Sequence, residues 1–470
     1  MRRPATSRLE GGQEDARAVA LEVLLRVERE GARADRALGE VLSRLEMEPR
    51  DAALASKLVY GSLAWRRFFD HALAVWSGRS PALRDPTVRC LLHLGLYQLF
   101  FLDRVPDYAA VGETVEVAKR RGLRRATGFL NALLRRAARE GPRAVPLPDP
   151  EKEPVRYLGL AYSHPDWLVA RWLSELGREE TEALLRANNQ EPPVTLRVNR
   201  LESSVAAEIE SFTRLGIVAT PTRWSPVGIR VEGYPVARLP GASQGRWSVQ
   251  SEASQVVTLL VGAGPGERVL DACAGRGAKS THLAEESEDR STIVALDRDF
   301  RGFAVLRREA ARLGLRGIRP LVGDASDPPF RSGTEFSRIL VDAPCTGLGT
   351  LRRRPEIRWR RRPGDVRLCA RRQRAILEGV APRVARGGLL VYATCTPLRE
   401  ENEEVVEDFL RAHPEFCREE PLSERERARL PALEELLSAE GSLRTWPHRH
   451  GLDAFFAVRL RRKGPRGSLA

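Results

Sequence analysis

The sequence contains no uninterrupted run of 18 or more apolar residues, which excludes a membrane-spanning helix of ordinary length. Its basic start, Met1-Arg2-Arg3-Pro4, is not followed by the apolar core of a secretory signal. The expected location is therefore the cytoplasm, with no membrane partner. Cysteine is scarce: six residues, at positions 90, 273, 345, 369, 395 and 417. They form no Cys-x-x-Cys pair and no histidine stands at zinc-ligand spacing, so neither a disulfide framework nor a metal site is expected. Internal repeats and low-complexity tracts are missing. Lysine is nearly missing too, with five among 77 basic residues. Arginine thus carries a net charge of +14, a balance that suits a polyanionic partner such as RNA. The sign of the charge is the informative part; the choice of arginine is not.

What remains is ordinary globular material. Charged residues make up 30% and hydrophobic residues 42% of 470, enough chain for two or three domains. Residues 14–141 read as all helix. Apolar residues recur at helical spacing from Ala16 to Leu45, and Asp51 looks like an N-cap for a helix from Ala52 to Trp65. Helices follow over Pro86–Leu102, Asp107–Arg121 and Leu123–Arg139. The last carries Arg124, Arg125, Arg135, Arg136 and Arg139, either a solvated face or a phosphate-binding stripe. Residues 142–154 are rich in Pro and charge and read as a linker. Residues 155–239 fit a small α+β subdomain, with a helix up to Asn189, a strand over Val194–Asn199, a helix near Val205–Leu215 and strands around Thr220–Arg223 and Gly228–Val231. Trp247 to Gln255 leads into a helix. From 240 to 463 strands and helices alternate, the signature of a doubly wound, Rossmann-like α/β domain.

Two apolar runs organise that last domain. Arg338-Ile339-Leu340-Val341 stops at Asp342-Ala343-Pro344-Cys345, and Gly388 to Ala393 stops at Thr394-Cys395-Thr396-Pro397. Both read as buried parallel strands, whose carboxyl ends border the ligand crevice of such a sheet. Asp342, Cys345 and Cys395 are thus expected to face one crevice. A soft, nucleophilic thiolate suits addition to an electron-poor ring carbon. Addition at C6 of a pyrimidine makes C5 enamine-like, so that C5 can take a methyl from a sulfonium donor. The adduct must then lose its C5 proton and expel the thiolate, while a carboxylate near N3 and the amino group holds the base. Two Cys and one Asp supply that set. Cys90, Cys369 and Cys417 sit in helical patterns and read as inert.

An adenosine cofactor is indicated by three strand ends carrying Asp. Arg268-Val269-Leu270 ends in Asp271 and the loop Cys273-Ala274-Gly275-Arg276-Gly277-Ala278-Lys279, where glycines let backbone N–H groups approach a ligand. The next strand ends in Asp297, twenty residues beyond Gly277, where a carboxylate can accept ribose hydroxyls. The one after ends in Asp324.

These stretches resemble known families. Arg50 to Ala55, Leu58-Val59-Tyr60-Gly61 and Gly128 to Arg136 resemble the NusB-like RNA-binding helical domain. Asp342 to Gly349 with Arg352 to Trp359 looks like motif IV of the RNA cytosine-C5 methyltransferases. Tyr392 to Pro397 with Glu400-Glu401-Asn402-Glu403 looks like their motif VI, and the glycine loop like their motif I. Together these resemble the RsmB (Sun/Fmu) type of small-subunit rRNA methyltransferase over roughly residues 14 to 462. The resemblance implies that Cys395 is the nucleophile, that Cys345 helps resolve the adduct, and that Asp342 holds the base. It also implies that Cys273 to Lys279, Asp297, Asp324 and Asp342 bind S-adenosylmethionine, that 16S rRNA is the partner and that the protein is a monomer. The loop departs from the usual Cys-Ala-x-Pro-Gly-Gly-Lys, with Arg276 for Pro and Ala278 for the second Gly. That departure keeps open an RNA-binding protein whose methyltransferase domain has decayed. A tRNA-directed methyltransferase is a further alternative.

Overall fold

The computed structural model describes residues 15–78, 81–419, 427, 430 and 432–464. The chain divides into two compact units. One holds the residues up to Gln190 together with Leu351–Arg360; the other holds Glu191–Thr350 and Arg361 onward. Among the described residues no helix is long and apolar enough to cross a membrane.

The first unit is helical: α1 (Ala16–Glu30), α2 (Ala34–Leu42), α3 (Pro49–Ala64), α4 (Arg66–Ser77), α5 (Pro86–Phe101), α6 (Asp107–Arg120), α7 (Thr127–Glu140), α8 (Pro154–Ala161) and α9 (Asp166–Ala187). The run from Ala16 to Leu45 is two helices rather than one. Gly31 takes φ 65° and closes α1, a conformation available to glycine at low cost. Asp51 is not an N-cap. Pro49, pre-set for the first helical position, starts α3 two residues earlier, with Glu48 before it. Val19, Ala20, Leu21 and Val23 are fully buried, as the helical spacing requires. Gly61 lets α3 approach α5 closely, because a Cβ there would lie 2.0 Å from the Tyr97 ring. In the proline-rich stretch after α7, Val145 is 4% exposed and His71 Nε2 lies 2.7 Å from the Pro146 carbonyl oxygen. On α7, Arg135 and Arg139 are exposed, whereas Arg136 donates to Glu140 and to the Trp76 carbonyl.

The segment Leu351–Arg360, distant in sequence, is part of this helical unit, with the short helix α14 (Ile357–Arg360). Arg358 is 0% exposed, and among the described residues no carboxylate pairs with it. Its guanidinium donates to the carbonyls of Ala64 (3.3 Å), Ser163 (3.0 Å) and Asn188 (3.2 Å) and to Asn189 Oδ1 (2.8 Å). Burial pushes its pKa down to about 9. Beside it, Trp359 Nε1 donates to the Leu63 carbonyl, the Glu356 carboxylate accepts from Ala34 N–H, and Arg360 donates to the carbonyls of Val27 and Ala32.

The second unit carries two sheets. The small one is antiparallel, ordered β2 (Ala219–Pro221), β3 (Gly228–Val231), β1 (Val194–Val198), β4 (Trp247–Val249), and α10 (Val205–Thr213) packs on it. Trp247 to Val249, on the way into the helix expected after it, forms a strand; Val198 pairs with Trp247 and Leu196 with Val249. The helix α11 (Glu252–Leu259) begins after it. A buried ion pair ties this sheet to its neighbour: Arg197 Nη2 and Nε reach the two oxygens of Glu285 at 2.6 and 2.8 Å. Gln250 and the Ala278 carbonyl accept from Arg197 Nη1. A bidentate Arg–carboxylate with its remaining donors satisfied is the arrangement in which a buried pair is tolerated.

The large sheet runs β10 (Phe416–Arg418), β12 (Phe456–Arg462), β9 (Val384–Thr394), β8 (Phe336–Asp342), β5 (Arg268–Asp271), β6 (Thr292–Asp297), β7 (Ile318–Val322), with β11 (Leu443–Arg444) paired to β12. The five strands from β9 to β7 are parallel, and β12 enters antiparallel between β9 and β10, so the Rossmann-like sheet is mixed. Helices α12 (Ala278–Glu286), α13 (Arg301–Arg312), α15 (Pro363–Val380) and α16 (Glu403–Ala412) belong to this layer system. The chain runs outward from β5 through β6 to β7, then crosses back to β8. The order therefore reverses between β5 and β8, the place where such sheets open a crevice.

Candidate active site

The β8 and β9 runs end side by side, with Asp342 in register with Ala393. Each is a continuous hydrophobic strand because each is covered on both faces; Ile339, Leu340, Leu390, Val391 and Tyr392 are fully buried. Beyond their ends Cys345 and Cys395 meet, with the two Sγ atoms 3.3 Å apart. The Cys345 thiol is held well above the ordinary cysteine range, first by that hydrogen bond and then by burial. It therefore keeps its proton beside the second sulfur.

A buried polar clamp fixes both loops. Glu401 accepts from the Thr346 N–H (2.8 Å), the Thr346 hydroxyl and Gln373 Nε2 (3.1 Å). Gln373, on α15, also donates to the Pro344 carbonyl, and the Thr346 hydroxyl oxygen lies 3.1 Å from Thr396 Oγ1, whose hydroxyl can donate to it. Asn402 accepts from the Thr394 hydroxyl and donates to the Thr396 carbonyl. Thr346, Thr394, Thr396, Glu401 and Asn402 are each 0% exposed. Burial pushes the Glu401 carboxyl up, against the hydrogen bonds that favour its charge. Gly349 completes the clamp. Its N–H donates to the Cys395 carbonyl, and a Cβ there would lie 1.9 Å from the Ala454 oxygen, so no larger residue fits.

Asp342 is half-buried and accepts from Lys279 Nζ at 2.6 Å. Burial lowers the lysine pKa, but the Asp342 charge and hydrogen bond outweigh it, Cys395 adds in the same direction, and the net shift is upward. Lys279 thus stays an ammonium paired with the carboxylate. The sequence reading put Lys279 with the cofactor loop; the structure aims its side chain at Asp342.

The loop between β5 and α12 turns on two glycines at positive φ, Gly275 (57°) and Gly277 (83°), a conformation open to glycine at low cost. Gly275 N–H donates to Asp297 Oδ2 at 2.8 Å, and Asp297 Oδ1 accepts from Asp299 N–H. Asp324 accepts from Ser326 N–H and Oγ and lies 3.3 Å from Arg298 Nε; these hydrogen bonds lower its pKa. A carboxylate oxygen has two lone pairs, so Asp297 retains acceptor capacity for ribose hydroxyls. Arg276 is exposed, and Ala278 opens α12 in helical conformation, where its methyl imposes no backbone strain. The Cys273 thiol is pushed well up by burial and by Asp271, Asp342 and Asp297, which leaves it unreactive. Asp271, the first of the three strand-end aspartates, is 1% exposed, and burial raises it to about 6. Its Oδ2 accepts from Ser280 Oγ, while the buried Oδ1 has no hydrogen-bond partner among the described residues. The loop backbone, the carboxylates at neighbouring strand ends and this orphaned acceptor fit a polar nucleoside-type ligand.

The family described as 16S rRNA methyltransferase RsmB/F matches residues 258–461, the NusB family residues 14–139, and the ferredoxin-like domain of the RsmF/B-like methyltransferases residues 164–237. The chain is similar to the probable ribosomal RNA small subunit methyltransferase B of Bacillus subtilis, 36% identical over 450 residues that cover 95% of this chain and 99% of the relative. It is also similar to the ribosomal RNA small subunit methyltransferase B of Pseudomonas putida, 37% identical over 417 residues, 88% of this chain and 91% of the relative. Among solved structures it resembles PH0851, with TM-score 0.78 and 27% identity over 96% of this chain and 100% of that one. It shares the fold of NSun6 from Pyrococcus horikoshii with SFG, with TM-score 0.56 and 21% identity over 64% and 99% of the two chains.

Proposed function

The chain belongs to the 16S rRNA methyltransferase RsmB/F family, and from that premise we propose that it methylates C5 of a cytosine in small-subunit rRNA through a covalent adduct with Cys395. The observation that carries this reading is the pair of sulfurs 3.3 Å apart at two adjacent strand ends, with Asp342 beside them. One thiol pair and one carboxylate match the requirements of addition, elimination and base holding.

In this reading the Cys395 thiolate adds to C6 and forms a C–S bond, and the Lys279 ammonium stabilises the thiolate before attack. Asp342, fixed by the same ammonium, accepts from the amino group and relays to N3 the proton released by the Cys395 thiol, so that addition leaves no net negative charge on the ring. S-adenosylmethionine, when bound, supplies an electrophilic methyl on a sulfonium. Its ribose is assigned to Asp297, its adenine side to Asp324, and the loop Cys273–Lys279 contributes backbone N–H groups. Once C5 carries the methyl it must lose its proton; the Cys345 position assists that loss, and the C6–S bond then breaks to return the thiolate. The helical unit, which carries the NusB match, serves as an RNA anchor.

Bisulfite sequencing of small-subunit rRNA from a strain lacking the gene tests the reading. One cytosine should lose its protection, and reintroducing the gene should restore it. Unchanged protection at every cytosine would overturn the proposal.

A further inference from the structure

Helix α15 has two working faces. Its buried face carries Ala370 and Gln373, and Gln373 reaches the Pro344 carbonyl and Glu401, the clamp that holds the two thiol loops. The adjacent face carries Arg367, Arg371 and Arg374, at spacings of four and three residues that align them in one row. These three, with Gly364, Ala370, Glu400 and Glu404, line an open groove of about 710 Å³. Arg374 is engaged, at 2.6 Å from Asp408. Arg367 and Arg371 are exposed, and among the described residues neither makes an ion pair or hydrogen bond. Two unpaired guanidiniums one helical turn apart, in a concave surface, are presented to a ligand outside the chain.

The groove borders the site through two direct sequence links. Glu400 in its wall precedes Glu401, which binds the residue after Cys345. Arg374 in its wall follows Gln373. From this we propose that the Arg367–Arg371 row is a binding site for the backbone phosphates of single-stranded RNA flanking the target base. This deepens the proposed function and rests on it. Planar guanidiniums suit phosphate oxygens, and Cβ atoms about 5–6 Å apart on one helix face match the scale of successive phosphates. Glu400 and Glu404 on the opposite wall repel the same backbone, so the strand is held to the α15 side.

The test uses the full-length protein with Arg367→Ala/Arg371→Ala and a short unstructured RNA. Each lost phosphate contact should lower the salt dependence of binding by about 0.7 in log–log slope, so the pair should lower it by about 1.4. KM for RNA should rise at least tenfold, with the effect in KM rather than kcat and cofactor affinity by calorimetry unchanged. Arg367→Lys/Arg371→Lys should recover most of the slope. An unchanged slope with unchanged KM overturns the proposal. A defect seen on assembled subunits but not on naked RNA also overturns it, in favour of a protein partner. If the parent protein binds RNA with the full slope yet methylates no cytosine, the proposed function fails while the phosphate site stands.

Discussion

Lys279 Nζ lies 2.6 Å from Asp342 Oδ2, which ties the first helical turn after the glycine loop to the strand end beside the thiols. One ammonium therefore serves the elements assigned to cofactor and to base. Removing it leaves a carboxylate that is only 29% exposed without its counter-charge. Breaking a fully buried pair costs about 3–5 kcal/mol, and at this exposure about 1–3 kcal/mol is expected. Lys279→Met should lower stability by that amount in urea unfolding and reduce methyl transfer more than tenfold. Lys279→Met/Asp342→Asn should recover stability without recovering turnover. A single variant as stable and as active as the parent would sink this role.

Asp271 predicts a pH dependence. Its folded pKa is raised to about 6 from an ordinary 3.8. Protonation of the folded chain is thus favoured, a contribution complete below about pH 4 and lost as pH rises to about 6. Above that window the ionised, buried carboxylate costs up to about 3 kcal/mol. Asp271→Asn should therefore be more stable than the parent at pH 7, keep the Ser280 hydrogen bond, and converge with the parent near pH 4. Chemical unfolding at the two pH values checks the sign, and a parent more stable at pH 7 contradicts it.

Asp297 bears on cofactor affinity. Asp297→Ala removes the acceptor for Gly275 N–H as well as the one assigned to ribose. S-adenosylmethionine binding by calorimetry should weaken by about 1–3 kcal/mol, the cost of unpaired buried hydroxyls. Unchanged affinity in a folded variant removes Asp297 from the site. Parent protein that does not bind the cofactor at all favours the decayed-domain alternative.

The two thiols should separate on a denaturing gel. Addition needs only Cys395, whereas release needs C5 deprotonation assisted from Cys345. Cys395→Ala should leave no RNA adduct, and Cys345→Ala should methylate, stall and migrate as protein joined to RNA. The opposite pattern reverses the roles. Activity without an adduct in either variant ends the covalent mechanism.

How much of this was legible follows from range in sequence. The strands ending at Asp342 and Cys395 announce themselves as apolar runs stopped by Pro and Thr, a local signal. Asp297 was placed by its distance from Gly277. The contacts that complete the site are not local. Glu401 meets Thr346 across 55 positions and Arg197 meets Glu285 across 88, and no periodicity encodes either pairing. Strand β4 has three residues, too few for an alternating pattern, and exists because β1 offers it a ladder. Asp51 misled because a good capping residue was outcompeted by Pro49 just before it.

Arg358 and its neighbours set an order for biosynthesis. The chain leaves the helical unit at Gln190 and does not return to it until Leu351. On a ribosome adding about 5–20 residues each second, that return lags by roughly 10–30 s. Until then the carbonyls of Leu63, Ala64 and Ser163 lack the donors that satisfy them in the finished protein. The first helices to emerge are thus among the later ones to be completed, and the bundle waits for a decapeptide that is translated after the glycine loop and Cys345.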